Sequence, residues 1–237
     1  MSTRSRRTVN TNVTEFQTFF NGWLVRQENY LQELRSTLRT CDDTTYNDED
    51  DLRDLIARVL AHYQQYYEHK SRIANHDVSL VFSPPWFSSF ERSFFWIAGF
   101  KPGLAFRIVN GSVPDMDQDQ EERMDRLKSE TKAEERELEN EMARIQESVA
   151  APPIVEFTRG QISIVDGKYD KMETAIEALR GEMEVVLGNA DMLRSRTAER
   201  VVEILTPVQN IKFLAAVTEL QIKIRMWGQQ IDGDRRL

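Results

Sequence analysis

Residues 77–109 read DVSLVFSPPWFSSFERSFFWIAGFKPGLAFRIV, and this stretch decides the fold. It holds nine of the chain's twenty-two phenylalanine, tryptophan and tyrosine residues. The Ser83–Pro85 triplet is typical of a helix start, because serine caps free backbone donors and proline needs no hydrogen-bond partner in the first turn. Gly99 and the Lys101–Gly103 segment are typical of a helix end. We therefore predict a short helix between these signals, with aromatic side chains on nearly every side.

A helix that is apolar all round is buried all round, and each fully buried aromatic side chain contributes roughly 2–3 kcal/mol. The segment is therefore able to hold longer helices around it. Apolar residues recur at helical spacing in five other stretches, which are residues 13–39, 52–74, 119–149, 169–193 and 207–227. Loops are predicted at residues 42–51 and 150–167, and no stretch is typical of a strand. The sequence predicts an all-α fold, a single bundle of long amphipathic helices around a short aromatic-rich central helix.

The helix predicted at residues 119–149 has a narrow apolar stripe among many charged side chains, as a coiled-coil strand does. The stripe predicts either an antiparallel neighbour within the same bundle or a dimer seam, and its irregularity favours the first. Residues 115–147 hold thirteen acidic and six basic side chains. The outer face of this helix therefore lies in solvent, which is the favoured reading, or meets a basic partner. The candidate partner residues are Glu134, Glu135, Glu137 and Glu141.

Composition excludes several classes of protein. The 237 residues are 40% hydrophobic, carry a net charge of −8 and suit one large domain or two small ones. No apolar run approaches the roughly 18–20 residues that span a bilayer. The amino terminus has no secretory signal, and the single Cys41 excludes disulfides and zinc ribbons. We expect the protein in the nucleus, the cytoplasm or both.

Sequence motifs for catalysis are missing. The chain has no glycine-rich phosphate loop, no HExxH, no Gly-x-Ser-x-Gly and no cysteine nucleophile with a partner. Its paired carboxylates lie in exposed charged runs, where water leaves them with ordinary acidity. No dense Lys/Arg stripe with interleaved aromatics tracks a phosphate backbone. We predict no enzyme activity, no catalytic or metal site, and no direct binding to nucleic acid.

The string FSPPWFSSFERSFFWIAGFKPGLAFRI, residues 82–108, resembles the signature of the plant delay-of-germination domain, also called the seed dormancy control domain. That domain also forms the C-terminal half of TGA-type bZIP transcription factors. Residues 16–34 and 55–78 resemble its first two helices, and residues 193–228, which include ILTPVQ, resemble its closing helices.

The resemblance implies a helical domain at residues 13–230, between a disordered basic tail at residues 1–12 and a C-terminal tail at residues 231–237. It also implies a core built on the family's signature residues. In this sequence the signature residues are Phe82, Trp86, Phe90, Glu91, Arg92, Trp96, Gly99, Pro102 and Phe106.

By this resemblance the protein is a non-enzymatic regulator that acts through protein partners in seed dormancy, abscisic-acid signalling or related transcriptional regulation. The candidate partners are clade-A protein phosphatases. TGA factors bind DNA through a bZIP segment that precedes this domain, and this chain begins shortly before the first family helix, so we expect no DNA binding. Two alternatives stay open, which are a pollen-aperture-type factor of the same family and a sensor of a small ligand, an acyl chain or haem.

Some members of the family are described as haem-binding, through ligands in their C-terminal region. This sequence has no histidine after His76. His62 and His69 lie seven residues apart on one predicted helix, about 10 Å along its axis, so they do not ligate one iron together. We therefore predict no haem and no other cofactor. An acyl chain among the central aromatics is the remaining possibility, and simple core packing is the favoured reading.

Overall fold

The structure, a computed structural model, describes residues 3–43, 49–152, 154–155 and 168–234. Over these residues the backbone forms eight helices and no strand, so the predicted all-α class is confirmed. In chain order the helices are α1 (Thr3–Asp43), α2 (Glu49–His76), α3 (Val78–Phe82), α4 (Ser89–Arg92), α5 (Leu104–Ser112), α6 (Gln118–Ser148), α7 (Lys168–Ile204) and α8 (Pro207–Asp234).

Parts of the predicted loops and tails lie outside the described residues, namely residues 1–2, 44–48, 153, 156–167 and 235–237. Helix α1 begins at Thr3, earlier than the predicted start at residue 13, and the domain limits at residues 13 and 230 remain predictions. Helix α2 begins at Glu49, so the last three residues of the loop predicted at residues 42–51 are helical. Glu49, Asp50 and Asp51 occupy the first turn of α2, where the helix dipole favours negative charge.

Helices α1, α2 and α8 form one side of the bundle. Gln27 Nε2 on α1 lies 2.6 Å from Tyr63 Oη on α2 and 2.9 Å from Gln221 Oε1 on α8. The apolar faces of these helices meet α5, α6 and α7 in one core cluster. Its fully buried members include Leu34, Leu52, Val59, Val109, Val201 and Ile211. The predicted amphipathic periodicity of the long helices is therefore what builds the interior.

Helices α6 and α7 lie side by side and antiparallel. Arg196 pairs with Glu134 and Arg200 with Glu130, so the chain directions are opposed. The predicted apolar stripe of α6 faces this neighbour, and its buried members are Met124, Leu127, Thr131, Leu138 and Ile145. Of the two alternatives for the stripe, the intramolecular neighbour is the one observed.

The predicted central helix between Ser83 and Gly99 is wrong in its extent. Ser83 ends α3 rather than starting a helix, and only the four residues of α4 (Ser89–Arg92) are helical in this stretch. The capping box decides the actual start, because Ser88 Oγ accepts from the Glu91 backbone N–H while the Glu91 carboxylate accepts from the Ser88 N–H. Helix α4 therefore begins directly after Ser88. The Ser83-Pro84 pair, five residues earlier, does not start a helix.

The backbone after α4 takes a path that no helix can follow. Ile97 and Ala98 have φ angles of 43° and 56°, a left-handed conformation that side chains other than glycine rarely adopt. Trp96 N donates to Gly99 O at 2.6 Å and closes a tight turn. We call residues 93–103 the aromatic loop. It joins α4 to α5 and brings Phe95, Trp96 and Phe100 against the surrounding helices.

Candidate functional site

Arg194 on α7 holds the aromatic loop in place. Its guanidinium donates to the backbone carbonyls of Trp96, Ile97 and Phe100, the last at 2.7 Å from Nε. It also lies 5.3 Å from the centroid of the Trp96 ring. Gly99 permits this approach, because a Cβ there would meet Arg194 Cζ at 3.0 Å. One buried side chain therefore satisfies the carbonyls that the strained turn leaves outside any helix.

Arg194 also belongs to a buried ionic cluster, which we define as Lys70, Asp191 and Arg194. Lys70 Nζ lies 2.7 Å from Asp191 Oδ1, and Arg194 Nη1 donates to the same oxygen. Lys70 is 1% exposed and Arg194 is 7% exposed. Two cations thus share one carboxylate within the protein. Burial is the main cause that lowers the pKa of Lys70 to about 8, with Asp191 opposing the shift and Arg194 adding to it.

Lys70 and Arg194 of the ionic cluster line a cavity of about 440 Å³, which we call the central cavity. Its walls come from α1, α2, α5, α7, α8 and the aromatic loop, and most of them are apolar. The aromatic residues of the wall are Phe20, Trp23, Tyr63, Tyr66, Tyr67, Phe87, Phe95, Phe100 and Phe213. An apolar cavity of this size with a few buried polar groups has the properties of a small-molecule site.

The cavity wall also contains a set of neutral polar side chains that are joined by hydrogen bonds. Tyr63 Oη donates to Gln221 Oε1 at 3.0 Å and lies 3.2 Å from Thr218 Oγ1. Burial raises the pKa of Tyr63 to about 12, so its hydroxyl stays protonated. Gln27 is 1% exposed, and its Oε1 atom has no hydrogen-bond partner in the structure. This unpaired acceptor lies in a residue that lines the central cavity.

The nine signature residues differ in burial. Trp86, Glu91, Pro102 and Phe106 are buried, whereas Phe82, Phe90, Trp96 and Gly99 are half-buried. Arg92 is exposed, so the prediction that it belongs to the core is wrong. Its charged guanidinium stays at the surface, where it donates to the Pro84 carbonyl at 3.4 Å. The sequence did not indicate a partner for the buried carboxylate of Glu91. In the structure this carboxylate pairs with the guanidinium of Arg225 on α8, at 3.2 Å.

The candidate partner face of α6 contains one residue that does not point outward. Glu135 is 4% exposed and accepts from Gly103 N at 2.6 Å, so its prediction as an outer-face residue is wrong. Its carboxylate instead binds the backbone at the end of the aromatic loop. Glu134 pairs with Arg196, Glu137 is exposed and Glu141 is half-buried. A partner role for these three glutamates remains a prediction.

His62 is enclosed by aromatic rings. It is 2% exposed, its ring stacks on Trp23 with centroids 4.5 Å apart, and Tyr30 lies 5.1 Å away. Neither ring nitrogen has a hydrogen-bond partner in the structure. Burial, with a smaller contribution from the charge of Arg26, lowers the pKa of His62 to about 4. The folded protein therefore keeps this histidine neutral.

We expect acidification to destabilise the protein through His62. The unfolded state binds a proton near pH 6.5 and the folded state near pH 4, so stability falls as pH falls through this window. The loss between pH 7 and pH 5 is about 2 kcal/mol from this residue. Urea unfolding of His62→Phe should lack this share of the pH dependence. The surface variant His76→Phe should keep it, and equal pH dependence in all three proteins would contradict the assignment.

Haem titration tests the prediction that the protein does not bind haem through its histidines. His69 stacks on Phe19 with ring centroids 3.6 Å apart, so it too is engaged with an aromatic ring. We expect only the broad absorption of nonspecifically adsorbed haem. A sharp six-coordinate Soret band that is lost in His62→Phe or His69→Phe would refute this prediction.

Other kinds of site find no support in the part of the chain that the structure describes. That part contains no group of three or more histidine, cysteine, aspartate or glutamate side chains arranged to hold a metal ion. None of its helices combines the length and the apolar character that crossing a bilayer requires.

Comparison with known proteins identifies the family. The seed dormancy control family matches residues 30–110, which include α2, α3, α4 and the aromatic loop. Protein ZW2 of Arabidopsis thaliana is 39% identical over 218 residues, which cover 90% of this chain and 96% of that protein. Protein RESPONSE TO ABA AND SALT 1 of the same plant is 37% identical over 220 residues, which cover 91% of this chain and 95% of that protein.

A transcription factor is among the more distant relatives. Transcription factor TGA7 of Arabidopsis thaliana is 26% identical over 219 residues, and the match covers 56% of that protein. The resemblance to the delay-of-germination domain that the aromatic stretch indicated is therefore confirmed along most of the chain. The chain belongs to the seed dormancy control family.

Proposed function

We propose that this protein is a non-enzymatic plant regulator that acts through protein partners in seed dormancy or abscisic-acid signalling. The main observation that supports this proposal is the match to Protein ZW2 and to Protein RESPONSE TO ABA AND SALT 1, each over at least 95% of the relative's length. The second of these names refers to abscisic acid. The relationship to Transcription factor TGA7 supports a regulatory role in the nucleus, and the location that we propose is the nucleus, the cytoplasm or both.

Clade-A protein phosphatases are the partners that we propose. The direct test is binding of the purified protein to a purified clade-A phosphatase, measured by calorimetry, followed by inhibition of the phosphatase on a phosphopeptide. A related phosphatase of another clade is the control. Binding to the clade-A enzyme alone would support the proposal, and no binding to it would refute this partner.

Charge reversal on α6 tests whether its outer face binds the partner. We expect Glu137→Lys with Glu141→Lys to leave the affinity unchanged at low and at high salt, because exposed charge runs are usually solvated faces. Glu134 is left intact because it pairs with Arg196. The matched control is Glu28→Lys with Glu68→Lys, the same change of charge on α1 and α2.

The contrary result would have a distinct signature. Exposed charges are screened beyond about 8 Å at physiological ionic strength, so a docking role acts mainly on the association rate. A large loss of affinity at low salt that narrows at high salt, seen for the α6 variant and not for its control, would place the partner on this helix.

We also propose that the central cavity binds a small apolar ligand such as an acyl chain. Its volume of about 440 Å³ and its aromatic walls carry this second proposal. Native mass spectrometry of protein purified from plant tissue should reveal a one-to-one complex, and decanoic acid should displace a hydrophobic dye. Ala198→Phe, which places a large ring at the cavity wall, should abolish dye binding. Ala133→Phe on the outer face of α6 should not, and equal binding by both variants would refute the proposal.

A further inference from the structure

Lys70 is an unusual residue for the wall of an apolar cavity. Lysine is almost never fully buried unless it is paired. Lys70 is 1% exposed and lines the central cavity. Its ammonium lies 2.7 Å from Asp191 Oδ1, the oxygen that also accepts from Arg194. One carboxylate neutralises only one of the two cations, so the ionic cluster has a net charge of about +1. This excess positive charge disappears when one of the cations loses a proton.

Lys70 is the member of the cluster that can lose its proton. An arginine guanidinium does not deprotonate in proteins, and the donors of Arg194 are engaged with Asp191 and with the carbonyls of the aromatic loop. Burial and the neighbouring Arg194 lower the pKa of Lys70 to about 8. Burial therefore increases the share of molecules that carry a neutral amine at this position. A lysine that is desolvated and next to another cation is an activated nucleophile.

The surroundings favour an adduct that forms with loss of water. Tyr66, Tyr67, Phe95 and Phe100 line the same cavity as Lys70. These walls accept the apolar body of a ligand. Asp191 supplies a carboxylate next to the amine, which the proton transfers of imine formation require.

We propose that Lys70 captures an apolar aldehyde or ketone inside the central cavity as a reversible imine, with Asp191 as proton carrier and counterion. This inference rests on the proposed ligand-binding cavity and goes beyond it by naming the reacting group on each side. The resulting ligand is held by a covalent bond, and its length is limited by the cavity.

The reaction balances without any further reagent. Asp191 takes a proton from the ammonium, and the free amine pair forms a bond to the carbonyl carbon while the carbonyl electron pair moves to oxygen. Asp191 returns its proton to that oxygen and gives a carbinolamine, then takes a second proton from the nitrogen and passes it to the hydroxyl. The nitrogen electron pair forms the second bond to carbon as the carbon–oxygen bond breaks, and the oxygen leaves as water. The product is a carbon–nitrogen double bond, and its protonated form keeps the positive charge beside Asp191. Nothing is oxidised or reduced.

Reductive trapping tests the inference on the full-length protein. The protein is incubated with decanal and cyanoborohydride, then digested and mapped by mass spectrometry. We expect Lys70 to gain the mass of decanal less one oxygen atom, at an aldehyde concentration about tenfold lower than the exposed Lys132 and Lys223 require, because the cavity holds the apolar chain of decanal beside the Lys70 amine and burial lowers the pKa of that amine. The preference should vanish in denaturing urea.

Variants give an independent readout. Lys70→Met should remove the adduct while Arg194 still pairs with Asp191, and Lys132→Met should leave labelling of Lys70 unchanged. Labelling of exposed lysines with Lys70 unmodified in the folded wild-type protein would overturn the inference without any variant. If decanoic acid displaces the dye but decanal does not label Lys70, the cavity proposal stands and the imine fails. If neither ligand acts, both fail.

Discussion

Replacing Trp86 with alanine is expected to lower the free energy of unfolding by about 3–5 kcal/mol, because it leaves a cavity in a second core cluster, which side chains of α1, α2, α3 and α7 form around Trp86. Trp86 is 8% exposed, and its ring centroid lies 4.2 Å from that of Phe16. Phe20, Ile73 and Val78 belong to the same cluster. Urea unfolding followed by circular dichroism measures the change.

Two further variants isolate the cause of this loss. Trp86→Phe should lower stability by less than about 1.5 kcal/mol, because the Trp86 indole N–H has no hydrogen-bond partner and a phenyl ring keeps most of the packing. Phe94→Ala lies in the same stretch of sequence, but Phe94 is 47% exposed and the change should be below about 1 kcal/mol. If Trp86→Ala and Phe94→Ala unfold at the same urea concentration, the organising role of the Trp86 region is wrong.

Replacing Arg194 with methionine is expected to lower the free energy of unfolding by about 3–5 kcal/mol as well, through a different mechanism. The substitution leaves the Trp96, Ile97 and Phe100 carbonyls without this donor. It also removes one of the two cations bound to Asp191. Near-ultraviolet circular dichroism should change together with stability, because Trp96 lies against the guanidinium.

Arg196→Met is the matched control, since Arg196 lies on the same helix and its ion pair with Glu134 is exposed. Its loss should be below about 1 kcal/mol. Arg194→Lys should behave like the methionine variant, because a single ammonium does not reproduce the planar fork that reaches several carbonyls. A lysine variant as stable as the wild type would show that the aromatic loop does not depend on the guanidinium.

Periodicity was sufficient to predict the long helices, because each buries one continuous stripe. The stripe of α6, with Met124, Leu127 and Leu138, is an example. Local signals also fixed the start of α8, where Gln209 N donates to Thr206 Oγ1 and Pro207 is the first helical residue. In such places the residues that determine the structure lie close together in sequence.

The sequence did not predict the aromatic loop, because the geometry of this loop depends on contacts that the spacing of residues does not reveal. Its carbonyls are bound by Arg194, which lies 94 residues after Phe100. Without that contact, the pattern of Trp86 and Phe90 equally favours a continuous helix. Glu135 was placed on the outer face for the same reason, since its partner Gly103 lies 32 residues away.

The central cavity had only a partial signal in the sequence. The aromatic residues of its wall were conspicuous, but packing and ligand binding predict the same composition. Lys70 sits among the polar neighbours Glu68, His69 and Ser71, which favours a surface position. Its burial follows from contact with Asp191, 121 residues away.

The distance along the chain between Phe100 and Arg194 has a consequence for protein synthesis. A ribosome adds roughly 5–20 residues per second, so the 94 residues that separate the two take about 5–20 s to make. During that interval the emerging chain carries the aromatic loop without the side chain that binds its carbonyls. Slower translation of α6 and α7 therefore lengthens the time for which the carbonyls of the aromatic loop lack this donor.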